Sequence, residues 1–217
     1  MRKATYLILA LCIVSFSCSR KWKQPTSCDF DLTFKSEISS PINEINSSQF
    51  FANSVRFDGV RDQAGDISLT QEIDVNLNGN AHHDLHFDIP QGTYTDLSAT
   101  VLLSRSSGSA NTVRIIGKHN HTGGGFSNFQ ILIDEDVLLH ASSKDSDGTN
   151  TVVLSKKINR QAEMILNANS LLDGLSEATW LSATGAGSTI VVDSSTNLSM
   201  YLYMINNISN HLEIRFL

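Results

Sequence analysis

The sequence predicts an all-β fold, an antiparallel two-sheet β-sandwich closed by one short C-terminal helix. Three observations carry that reading. From residue 28 onward apolar side chains recur mostly at every second position, as on a strand with one face buried. The connections are rich in Gly, Asn, Asp and Ser, residues that tolerate left-handed backbone or bond their own main chain in turns. No strand–helix–strand rhythm occurs, so neighbouring strands are expected to run antiparallel.

The elements follow in order. CDFDLTFK sets Phe30, Leu32 and Phe34 on one face, with Asp29, Asp31, Thr33 and Lys35 on the other. DISLTQEIDVNL repeats the device with Ile67, Leu69, Ile73, Val75 and Leu77, HHDLHFDI with Leu85, Phe87 and Ile89, and LSATVLLS with Leu97, Ala99, Val101 and Leu103. FSNFQILID, DVLLHASS, TVVLS and AEMILNA continue the series, separated by NLNGN, IPQGTY, SRSSGSANT, HTGGGFS and KDSDGTN. A short helix is expected in NSLLDGL, with Gly174 as its C-cap. A longer one carries Leu198, Tyr201, Leu202, Ile205 and Ile208, capped by Ser194, Ser195 or Thr196. HLEIRFL alternates through Leu212, Ile214 and Phe216, so the chain is expected to finish as a strand pinned in a sheet.

Composition narrows the class. Of 217 residues 41% are hydrophobic and 18% charged, which describes a globular domain and no disordered or collagen-like chain. A net charge of −6 argues against nucleic acid as a partner, because phosphate recognition needs a basic face.

The leader MRKATYLILALCIVSFSC has a positive start at Arg2 and Lys3. An uncharged run of thirteen residues, 4–16, follows. That run suits a secretory signal and falls short of the roughly 20 residues a spanning helix needs. With Ser17 before Cys18, the leader resembles a bacterial lipoprotein signal, although Ser15 and Phe16 stand where the strict motif has Leu-Ala. The resemblance implies cleavage after residue 17, lipidation of Cys18, and palmitate-type chains holding the protein on a membrane of the bacterial cell envelope, most naturally the outer membrane. An ordinary cleaved signal with an incidental Cys18 is the other reading. Residues 1–17 are then the signal, 18–27 the lipidated cysteine and a polar tether (SRKWKQPTS), and 28–217 one β-sandwich domain. Cys28 would remain as the one thiol, leaving no intrachain disulfide.

Phe51 to Leu103 (FFANSVRFDGVRDQAGD, then HFDIPQGTYTDLSATVLLS) resembles bacterial envelope lipoproteins with transthyretin-like or immunoglobulin-like β-sandwich domains. The shared phrase is the IPQGTYT segment, in which Pro90 ends one strand, Gly92 makes the turn and Tyr94 starts the next. ILIDEDVLL and AEMILNANSLLDGL resemble the second half of the same group. The resemblance implies a fold, a location and a binding or adhesive role, and carries no catalytic residue.

Candidate chemistry is sparse. His82, Asp84 and His86 share a strand face, as do His119 and His121. Histidines two apart on a strand are usable metal ligands, and Asp88 or His140 on a neighbouring strand would complete a site. The same residues equally fit exposed positions, since Leu85, Phe87 and Ile89 hold the buried phase. Asp145, Asp147 and Asn150, with the Thr149 carbonyl, resemble the opening of a calcium loop, but Lys156 stands where the bidentate Glu belongs. Asp58, Asp62 and Asp66 form a similar acidic loop. No G-x-S-x-G, H-E-x-x-H or phosphate-binding loop occurs, no motif calls for a cofactor, and Asp29 and Asp31 deny Cys28 the positive setting a catalytic thiol needs. The expectation is therefore a lipid-anchored, non-catalytic protein that binds or adheres to a protein or glycan. The rival readings are a periplasmic metal-holding module built on the paired histidines, or a secreted hydrolase.

Overall fold

A computed structural model describes residues 25–33, 40–78, 82–157 and 160–217, and of 25–33 and 82–83 the backbone only. The leader and Cys18 lie outside the described residues. The chain is mostly β-strand with three short helices among the described residues.

The strands are β1 (Pro25–Thr33), β2 (Asn43–Arg61), β3 (Ile67–Asn78), β4 (His82–Pro90), β5 (Gly92–Leu103), β6 (Val113–Asn120), β7 (Phe126–Ile133), β8 (Val137–Lys144), β9 (Val152–Leu154), β10 (Gln161–Leu166), β11 (Thr189–Val192) and β12 (Leu212–Phe216). Helices α1 (Ala168–Asp173) and α2 (Glu177–Ser182) separate β10 from β11. Helix α3 (Leu198–Asn207) and a 3₁₀ turn at Ile208–His211 lead into β12. β1 begins at Pro25, so the last residues of the expected tether already pair, with Pro25 opposite Pro90 of β4.

Hydrogen bonding links the strands in the order β11-β7-β6-β2-β5-β8-β12-β10-β1-β4, with β3 on β2 and β9 on β5. The sheet is mixed, which corrects the expectation of antiparallel pairing throughout. β1 runs parallel to β10, β11 to β7 and β12 to β8. Alternation reports which face a side chain takes and is blind to the direction of the neighbouring strand. Parallel neighbours need long crossovers, and here the pairs are joined through stretches far apart in the chain.

Strand β2 organises the sheet. Residues 43–50 pair with β6, residues 52–61 with β5, and β3 runs along residues 49–59. Phe57 of β2 meets Phe87 of β4 edge-to-face at 4.8 Å between ring centroids, although β4 is the far end of the sheet order. This contact brings β4 back against β2. The expected inward residues of β4 and β5 are buried as the alternation requires, from Leu85, Phe87 and Ile89 to Leu97, Ala99, Val101 and Leu103. Pro90 ends β4 and Gly92 opens β5. The hydroxyl of buried Tyr94 donates to the Pro90 carbonyl at 2.5 Å.

Two helix expectations need adjustment. Gly174 does close α1, but in right-handed backbone (φ −74°). A Cβ there would meet the Tyr203 hydroxyl, which would have to shift. Helix α3 is entered through Asn197 in left-handed backbone (φ 56°) rather than through Ser194, Ser195 or Thr196. It buries Met200, Tyr201 and Met204, leaving Leu198 and Leu202 51% and 48% exposed. The buried stripe is thus rotated from the one expected.

Candidate metal centre

Strand β6 buries every second side chain: Val113, Ile115, Gly117, then His119. Gly117 lets the ring of Phe129 and the Glu44 carbonyl approach, where a Cβ would collide with both. His119 follows on the same inward phase and is 2% exposed. His121, just past the strand end, lies beside it, with the imidazoles edge-to-face at 5.1 Å.

The third member comes from α2. Ser176 caps that helix by accepting from the Thr179 N–H at 3.2 Å, which puts Glu177 in the first turn. Trp180, one turn on, is fully buried, stacks on His119 at 4.4 Å and 11°, and meets Phe129 in a tilted contact at 5.3 Å. This packing turns Glu177 toward the histidines. Its two carboxylate oxygens are divided between them, Oε2 at 3.1 Å from His119 Nε2 and Oε1 at 3.0 Å from His121 Nδ1. One donor atom from each of the three residues falls within 4.8 Å of the others. Donors on one tetrahedral zinc ion with bonds of 2.0–2.1 Å sit about 3.3 Å apart, so small side-chain shifts would suffice to bring all three onto one ion.

The opposite ring nitrogens are held too. His119 Nδ1 lies 2.8 Å from Asn43 Oδ1, and Asn43 Nδ2 donates to Asp173 Oδ1 at 2.7 Å. The Ser40 hydroxyl also donates to that Asp173 oxygen, at 3.2 Å. His121 Nε2 lies 2.9 Å from Ser127 Oγ, which accepts from the Gly187 N–H at 2.8 Å. Histidines whose outer nitrogen is fixed by an amide, carboxylate or hydroxyl are the usual form of oriented metal ligands.

This network decides a tautomer. Turning the Asn43 amide over would set its carbonyl oxygen against the Asp173 carboxylate, so Oδ1 must face His119 and Nδ1 must carry the proton. In neutral His119 the bare lone pair of Nε2 then points at Glu177. Burial lowers the His119 pKa, outweighing the opposing hydrogen bond and charge of Glu177. Burial pushes the Glu177 carboxyl up, but hydrogen bonds from His119 and His121, with their charge, leave it below its ordinary range. A second proton on Nε2 would make the ring a buried imidazolium paired with Glu177; without that proton the Nε2 lone pair faces the carboxylate at 3.1 Å. A divalent cation held between Nε2 and the carboxylate would satisfy both without that second proton. His121 has no such problem, since Ser127 can donate to its Nε2 while its Nδ1–H donates to Glu177.

Of the four histidines proposed from sequence, the structure brings together His119 and His121 and leaves His86 apart. His86 is exposed on β4, 3.9 Å from Asp88. The side chain of His82 lies outside the described residues. His140 is exposed on β8 against Thr100 Oγ1 at 3.1 Å. Of the calcium candidates Asp145, Asp147 and Asn150, the two aspartates hold other partners. Arg160 takes both oxygens of Asp145, at 2.7 and 3.3 Å. Asp147 Oδ1 accepts from the Thr149 N–H and hydroxyl, and Gly148 (φ 83°) completes an ordinary turn. In the other acidic loop Asp58 is bound by Arg56 and Ser68.

Glu177 escaped the sequence reading because α2 is a six-residue helix with no apolar periodicity. Its available signal was the Ser176 cap followed by acid and tryptophan. Compared with known protein families, curated proteins and solved structures, the chain matches none.

Proposed function

We propose that this chain is a non-catalytic metal-holding module of the bacterial cell envelope, binding one divalent transition-metal cation through His119 Nε2, His121 Nδ1 and a Glu177 oxygen. The observation that carries the reading is the convergence within 4.8 Å of one donor atom each from buried His119, His121 and Glu177. Two imidazoles and one carboxylate form a borderline donor set, suited to Zn²⁺ and its first-row neighbours rather than to the hard, oxygen-seeking Ca²⁺ or Mg²⁺. The lipidated Cys18 of the leader would tether the module to the membrane. The contact of Phe57 with Phe87 supports two packed layers as its scaffold.

Calorimetric titration of the purified protein with Zn²⁺ tests the site. One equivalent should bind, Glu177→Gln should weaken it at least a hundredfold, and Asn43→Ala should weaken it about ten- to a hundredfold by freeing the His119 ring. Absence of heat above background would remove the metal reading. The anchor has its own assay: radiolabelled palmitate should enter the wild type and not Cys18→Ala.

A further inference from the structure

We infer that the crossover between β10 and β11, residues 167–188, is a clasp that closes on the metal, so that cation binding docks it against β6 and β7 and its undocking releases the cation. This rests on the metal-holding reading above.

The ligands divide between a strand inside the sheet and a crossover connection that packs onto it through Leu171, Leu172 and Trp180. His119 stands in β6, a strand hydrogen-bonded on both sides, to β2 and β7, and His121 follows directly after it. Glu177 stands on a six-residue helix within a connection that spans from β10, late in the sheet order, to β11 at its first edge.

Three polar links tie that connection to the site, and each ends on the histidine pair. At the start, Asp173 reaches His119 through Asn43. In the middle, Glu177 bridges both rings. At the end, the Gly187 N–H reaches His121 through Ser127. Docking of the segment and placement of the two imidazoles are therefore one geometrical event.

The buried side of the segment is also poorly satisfied in polar terms. Both amide atoms of Asn169 and the indole nitrogen of Trp180 are buried and find no hydrogen-bond partner among the described residues. Orphaned buried polar groups lower the local stability of the unit that carries them. Past α2, Gly185 and Gly187 hold left-handed backbone (φ 93° and 82°). A Cβ at Gly185 would run into the Thr189 carbonyl, whereas one at Gly187 would meet nothing, so the turn is close-packed at its start and open at Gly187. Releasing Glu177 removes the only carboxylate in the ligand set and uncovers the face of His119 on which Trp180 lies. Capture from solvent and release then need no rearrangement of the sheet.

The test is amide hydrogen exchange on the purified full chain with and without one equivalent of Zn²⁺, alongside calorimetry. Zinc should slow exchange at least tenfold in peptides covering 176–188 while leaving β5 and β8 unchanged. In a Trp22→Phe background it should also shield Trp180 from acrylamide quenching. Glu177→Gln, which keeps size and shape, should lose the protection. Ser127→Ala serves as a second variant: it should leave Glu177 in place yet weaken protection around Gly187. If zinc binds at one equivalent and exchange across 176–188 is unchanged, the clasp is overturned and the metal site stands. If zinc does not bind, both fall.

Discussion

At position 119 an imidazole occupies a slot in which β6 otherwise places Val113 and Ile115, and burial there is tolerable because both ring nitrogens have partners. That His119 and His121 lie together was legible from their spacing. That His119 points inward was not drawn from sequence, although Val113, Ile115 and Gly117 set that phase. Glu177 was illegible as a partner, because it is 58 residues from His119 and only packing of Trp180 brings it there. Two residue-scale outcomes follow. Gly117→Ala should destabilise by about 1–3 kcal/mol in urea unfolding, since the added methyl meets Phe129 and a backbone carbonyl that cannot both withdraw. Asp145→Ala should cost about 2 kcal/mol by the same measurement, because Arg160 would lose a bidentate partner while remaining largely buried.

The longest strand, β2, shows why alternation alone misses real elements. Its buried positions are Asn43, Ile45, Ser48, Phe50, Ala52, Val55, Phe57 and Gly59, a period of two broken twice by a step of three. Both breaks coincide with shifts of register, between Ile45 and Ser47 and between Ala52 and Ser54. Each bulge inserts one unpaired residue and flips the phase, so the pattern reads as irregular although the strand is continuous. Strand β11, with four residues, is too short to show a clear period. Helix α3 is set by a local device instead. Asn197 holds left-handed backbone while its side chain accepts from the Thr184 N–H and donates to the carbonyls of Thr184 and Val191. Asn197→Ala should cost about 2 kcal/mol in chemical denaturation, and Asn197→Gly roughly 1 kcal/mol less, since glycine accepts the backbone but loses the same bonds.

For the molecule as a whole, acid should act in two windows. Burial lowers the pKa of His211, which contacts Ser170 Oγ at 2.8 Å, below its ordinary 6.5. The unfolded chain then takes up the proton first, so stability is full above pH 6.5 and declines as the pH falls below it. Asp193, held down by hydrogen bonds from Ser195 and then Thr196, behaves oppositely in charge but alike in direction. Its contribution is present above its ordinary 3.8 and is lost as the pH drops through its lower folded value. Thermal unfolding from pH 8 to pH 3 should show both declines, and His211→Gln should shrink the first, to which buried His119 also contributes, while leaving the second. The inward and outward faces of most strands, the turn chemistry between them and the two histidines as neighbours are all local properties, written in residues two apart or adjacent, and were readable from the chain alone. Strand direction, the bulged course of β2, the rotation of α3 and the meeting of Glu177 with His119 and His121 depend on which distant segments pack together. Those outcomes are selected by burial and hydrogen-bond satisfaction across the whole sheet, a balance that no short window of sequence contains.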